Sequence, residues 1–120
     1  MGRYHKLLAG ASWMAEFGDP DSKDWAEFLH MYSAYHNLDP GTSYPPILFT
    51  TSTRDDRVHP GHARKMVKRL QDECPRARQV LYFENIEGGH GGAADNKQRA
   101  YMSALAFSFL MQTLGGGSCA

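Results

Sequence analysis

Apolar positions between residues 47 and 114 fall into two short runs and two long ones, and their order predicts the architecture. Ile47-Leu48-Phe49-Thr50-Thr51-Ser52-Thr53 follows Pro45-Pro46 and is rich in β-branched and aromatic side chains, the mark of a strand over 47–53 that proline introduces. From Pro60 onward Ala63, Met66, Val67 and Leu70 recur at helical spacing. Arg64, Lys65, Lys68 and Arg69 face away from them, and Pro75 stops the run just after Cys74. Val80-Leu81-Tyr82-Phe83 is a continuous apolar run, as in a strand buried on both faces, and predicts a second strand over 79–84. After a Gly-rich turn, Asp95 is placed to cap a long helix whose body, Ala100 to Leu114, is mostly apolar. Such a helix requires cover on most of its sides.

Strand, helix, strand, helix with short connections is a right-handed βαβ unit plus one more helix, hence an α/β fold on a parallel sheet. Two parallel strands are marginal alone, so these strands call for neighbours. Residues 1–46 have a different texture, rich in aromatics, Gly, Asp and Pro, and read as a helix and loop segment. There Asp21 or Ser22 is placed to cap a short helix with Trp25, Phe28, Leu29 and Tyr32 on one face, between turns at Gly18-Asp19-Pro20 and Asp39-Pro40-Gly41. The chain thus divides into a helix and loop segment at 1–46, the βαβα portion at 47–114, and a flexible Gly-rich tail at 115–120.

Composition narrows the functional classes. The 120 residues are 42% apolar and 22% charged, ordinary for a globular protein and far from a disordered one. Thirteen basic residues balance thirteen acidic ones with no run of like charge, so neither nucleic acid nor an anionic membrane is an expected partner. The basic residues on the first long helix read as its solvated face. No apolar stretch reaches the ~20 residues that cross a bilayer, and the short patch at Leu7–Ala9 is no signal sequence. Cys74 and Cys119 read as free thiols of a reducing compartment, and the expected location is the cytoplasm.

Chemistry gathers at the strand ends. Thr53-Arg54-Asp55-Asp56-Arg57-Val58 follows the first strand and Glu87-Gly88-Gly89-His90-Gly91-Gly92 follows the second, so both loops leave the carboxyl edge of adjacent parallel strands, where α/β folds collect their catalytic groups. An aspartate from one loop can then reach the histidine of the other. A carboxylate accepting from one imidazole nitrogen fixes the tautomer and leaves the other as a base, two thirds of a Ser-His-Asp triad. The competing bland reading makes the acidic pair a capping turn and the histidine an ordinary turn residue. Arg57 either makes a solvated salt bridge with Asp56 or presents its guanidinium to a substrate carbonyl or carboxylate.

Several segments resemble one family. Residues 44–66, running from Tyr44-Pro-Pro-Ile-Leu through Thr53-Arg-Asp-Asp-Arg-Val to Met66, resemble the catalytic-aspartate segment of the prolyl oligopeptidase family of serine peptidases, and Asn85-Ile-Glu-Gly-Gly-His-Gly-Gly-Ala resembles its catalytic-histidine segment. Ala11-Ser-Trp-Met-Ala-Glu-Phe-Gly-Asp-Pro-Asp and Tyr32-Ser-Ala-Tyr-His-Asn-Leu are similar to the stretch before them. The resemblance implies the C-terminal part of an α/β-hydrolase catalytic domain acting on peptides, without cofactor or metal. It gives Asp55 the role of orienting the imidazole, His90 that of general base and acid, and Arg57 that of binding a substrate main-chain carbonyl.

The triad of such a fold runs Ser, Asp, His along the chain, with the serine in Gly-x-Ser-x-Gly between a strand and a helix. The sequence contains no such elbow: Gly10-Ala-Ser12-Trp-Met14 lacks the second glycine, and Gly116-Gly-Ser118-Cys-Ala120 lies after His90. The resemblance places the family's serine before residue 1, so the expected function is a fragment carrying the triad's acid and base but no nucleophile, inactive alone. The rivals are a non-catalytic oligomerising or binding module derived from the fold, and a small esterase-like hydrolase using Ser12, Ser118 or Cys119. His59-Pro60-Gly61-His62 has the spacing of a metal pair but straddles a helix start, where a cap is the expected role. Unpaired strand edges and the over-apolar last helix predict a homo-oligomer.

Overall fold

The computed structural model describes residues 1–77 and 79–115; Ser118, Cys119 and most of the Gly-rich tail lie outside the described residues. Short helical turns build the first third. Turns of 3-10 helix at Tyr4–Lys6 and Leu8–Trp13 run into α1 (Met14–Phe17), which ends at Gly18 with φ of +96°. The buried Tyr4 donates its hydroxyl to the Gly18 carbonyl at 2.6 Å, tying the start of this segment to its end.

The predicted short helix is present, with a difference. Ser22 Oγ accepts from the Asp24 N–H at 3.1 Å ahead of the helix and the Asp21 carboxylate bonds His5 and Lys6, so neither candidate caps the helix, which starts at Asp24 without a side-chain cap. Trp25–Leu29 is wound as a π-helix before α2 (His30–Tyr32) completes the segment. The wider turn shifts the inward face: Leu29 and Ser33 are buried, whereas Tyr32 is half exposed and donates to the Phe17 carbonyl at 2.9 Å.

Strands β1 (Ile47–Ser52) and β2 (Val80–Asn85) pair in parallel, with Ile47 opposite Val80 and Ser52 opposite Asn85. The first strand stops one residue short of its predicted end and the second is displaced by one. Between them α3 (Gly61–Glu73) crosses over, its stop coinciding with the Cys74-Pro75 boundary. Leu70 and Cys74 pack with Leu38 into the core, closed by Ile47, Phe49, Met66 and Val80, so this face of the sheet is covered. Cys74 is a buried free thiol. The outward side of α3 carries the ion pairs Lys68–Asp72 and Arg69–Glu73, both at 2.8 Å, as its polar stripe predicts.

Helix α4 (Asn96–Leu114) starts as expected, with Asp95 Oδ1 accepting from the Gln98 N–H at 2.7 Å. Its first turns lie on the other face of the sheet, where Tyr101 meets Phe83 at a ring separation of 5.5 Å. Beyond them one side of the helix is exposed, with Phe107, Met111 and Leu114 at 65%, 74% and 78%, while Leu105 and Phe109 stay half-buried. These side chains form an exposed apolar surface along the C-terminal half of α4. The radius of gyration is 16.7 Å, against about 14 Å for a compact domain of this length. Among the described residues no helix is long and apolar enough to cross a membrane.

Candidate active site

Parallel pairing brings the two loops level. The Thr53 N–H donates to the Asn85 carbonyl at 2.9 Å as the last rung of the ladder, and from there the chains diverge into the Asp55 and His90 loops. Glu84, next to Asn85, accepts from Thr53, Tyr82 and the Arg64 guanidinium, a knot that locks both strand ends to α3. Arg64, then the Thr53 and Tyr82 hydroxyls, hold the Glu84 carboxyl down to about 2.

Asp55 combines both roles that the sequence allows it. Its Oδ1 accepts from the backbone N–H groups of Arg57 and Val58, each at 2.9 Å, which makes it the organiser of its own turn. The same carboxylate meets the His90 ring, with Nδ1 3.0 Å from each oxygen. Burial pushes this carboxyl up, but the Val58 and Arg57 N–H donors and the His90 ring outweigh it and hold Asp55 below the ordinary carboxylate range. An ionised carboxylate can only accept, so in this contact the donor is the His90 Nδ1–H. The aspartate side chain is 11% exposed and the histidine 45%, a screened acid behind an accessible base.

The glycines of the histidine loop have separable tasks. A Cβ on buried Gly88 would lie 2.6 Å from the Gly92 carbonyl oxygen, so only glycine permits that close approach, and Gly92 has φ of +82°. The loop is closed by Asn85, a residue to which the sequence reading assigns no task. Its Oδ1 accepts from Glu87 and Gly88, and its Nδ2 donates to Gly92 and to Gln98 of α4. An asparagine at a strand end ahead of a Gly-Gly pair is a recognisable turn signal, and it is the one that could have marked this residue.

A cleft of about 590 Å³ opens beside the pair, between Thr50 and Ser52 of β1, His62 and Ala63 of α3, and Met102 and Ser103 of α4. Arg57 is exposed on the aspartate loop and is not among the residues lining this cleft. His59 Nδ1 accepts from the Gly61 N–H at 2.9 Å at the start of α3, while burial pushes the His62 imidazole down. Of the serines considered as nucleophiles, Ser12 donates to the Ala9 carbonyl at 2.6 Å within its own turn. Ser33 meets His36 Nδ1 at 2.7 Å, but it is 1% exposed and offers a substrate no approach.

Comparison with known proteins decides the family. The family model described as "Prolyl oligopeptidase family" matches residues 2–117. The chain belongs to the prolyl oligopeptidase family. An uncharacterized peptidase, y4nA, of Sinorhizobium fredii is 44% identical over 114 residues, which is 95% of this chain and 15% of that protein. The prolyl endopeptidase of Elizabethkingia miricola is 37% identical over 116 residues, 96% of this chain and 16% of its own length. A solved structure from a study of two prolyl endopeptidases superposes with a TM-score of 0.90 at 36% identity, covering 96% of this chain and 17% of the other. The chain therefore spans about one sixth of the prolyl oligopeptidases it matches, and its βαβα unit is a part of their α/β-hydrolase fold.

Proposed function

We propose that this chain is the acid and base portion of a prolyl oligopeptidase-like serine peptidase site, with His90 as general base and acid, Asp55 as its orienting carboxylate, and the nucleophile supplied from outside these 120 residues. The observation that carries this reading is the Asp55–His90 contact at 3.0 Å, made between loops that leave adjacent parallel strands. In the assembled site His90 Nε2 takes the proton of an attacking serine hydroxyl and returns it to the leaving amine, while Asp55 stabilises the imidazolium between the two transfers. Arg57, at the family's position for it, binds a main-chain carbonyl of the peptide. Among the described residues no serine is hydrogen-bonded to His90, and the chain alone is expected not to cleave peptide amides.

The bare apolar length of α4 favours a second reading, a non-catalytic module that oligomerises through that surface. Labelling with a serine-directed fluorophosphonate, beside assays on a prolyl amide and an activated ester, separates these readings from a self-sufficient hydrolase. No labelling and no amide cleavage are expected; stoichiometric labelling that His90→Ala abolishes would identify a nucleophile within the chain.

A further inference from the structure

We propose that Asn85 is a positioning residue for His90, with Gln98 as its anchor on α4; this rests on the acid and base reading above. The loop from 86 to 92 has no strand or helix to shape it, so something else must fix where His90 stands. Asn85 supplies this from a position 8% exposed. Its carbonyl oxygen gathers the Glu87 and Gly88 N–H groups at 3.0 and 3.2 Å on the near side of His90, and its amide donates to the Gly92 carbonyl at 2.6 Å on the far side. One side chain thus ties both ends of the loop and leaves His90 at its apex.

The remaining amide hydrogen goes to Gln98 Oε1 at 3.0 Å, and the same oxygen accepts from the Ala94 N–H at 2.9 Å. Gln98 Nε2 in turn donates to Glu87. The first turn of α4, itself started by Asp95, therefore holds the loop from outside. Asparagine meets this demand because its two acceptor lone pairs and two amide hydrogens are all used. Aspartate would keep the two accepted bonds but face the Gly92 and Gln98 oxygens with a charge. A shift of about 1 Å in a catalytic group can cost roughly 100-fold in rate, so a closed loop matters more to His90 than to the core.

The test is nitrogen NMR of the 120-residue chain with labelled histidine, comparing wild type, Asn85→Asp and Gln98→Met, with unfolding curves on the same samples. In the wild type His90 is the Nδ1-protonated tautomer with a slowly exchanging proton. In folded Asn85→Asp that proton exchanges about tenfold faster, as loss of a buried hydrogen bond implies, and the tautomer preference falls. A folded Asn85→Asp chain with the wild-type signal overturns the proposal. Should Asn85→Asp not fold, Gln98→Met decides by the same criterion, and failure of that half-exposed variant to fold would also overturn it, since the contact would then hold the fold rather than the loop. A wild-type chain without the Nδ1-protonated tautomer would instead defeat the acid and base reading itself.

Discussion

His90 Nδ1 stands 3.0 Å from both carboxylate oxygens of Asp55, although 35 residues separate the two in sequence. The parallel register of β1 and β2 makes this contact, and the backbone donors of Arg57 and Val58 keep the carboxylate ionised to receive it. Asp55→Asn would place an amide nitrogen or a weaker acceptor against the imidazole and release its tautomer. In an assembled enzyme, loss of about 10⁴ in kcat is expected, the scale of that change in a chymotrypsin-type triad. A loss below tenfold would remove Asp55 from the mechanism.

Arg57→Ala should act on binding rather than on folding. An exposed loop arginine adds little to stability, so KM for a prolyl peptide should rise at least several-fold, with the unfolding free energy from urea titration within about 0.5 kcal/mol of wild type. Equal losses of stability and activity would make Arg57 a purely structural residue.

Stability should depend on pH through Glu84. Its carboxyl is held at about 2 in the folded chain, below the 4.5 of an unpaired glutamate, so its contribution is complete above pH 5 and is lost as the pH falls toward 2. Glu84→Gln should be less stable than wild type by about 1–2 kcal/mol at pH 7, and the gap should close in acid. A gap independent of pH would show that the carboxylate charge is not what locks the strand ends.

Gly88 and Gly91 should part company. A Cβ at Gly88 meets Gly92 oxygen and Asn85 Nδ2, whereas a Cβ at Gly91 meets nothing within 4 Å. Gly88→Ala should cost about 1–3 kcal/mol and speed amide exchange through the histidine loop, while Gly91→Ala should stay within about 0.5 kcal/mol. Urea denaturation with hydrogen exchange measures both.

What the sequence discloses depends on how local the cause is. The strands and the two long helices are legible because Pro46, Pro60 and Pro75 punctuate them and because their apolar periods are unmixed. The cap at Asp95 follows the same local logic. Asp55 and His90 are legible as a pair because the topology puts their loops at one sheet edge. The π-helical turn at Trp25–Leu29 is not, since a 25, 28, 29, 32 pattern fits an ordinary helix and the widening shows only in the burial of Ser33. Asn85 escapes for a different reason: its four bonds reach residues up to 13 positions away, and spacing alone does not reveal a residue whose work is to close a loop.

On the proposed function, this chain brings a working base and its aspartate to a nucleophile carried elsewhere. A chimera tests it most directly: the Elizabethkingia miricola prolyl endopeptidase with its matching 116-residue segment replaced by this chain. Rates on a prolyl peptide are then compared with those of its His90→Ala variant, folding being verified for both. Cleavage by the chimera and a fall of several orders of magnitude on His90→Ala are expected. A folded chimera that is inactive, or that keeps its activity without His90, would contradict it.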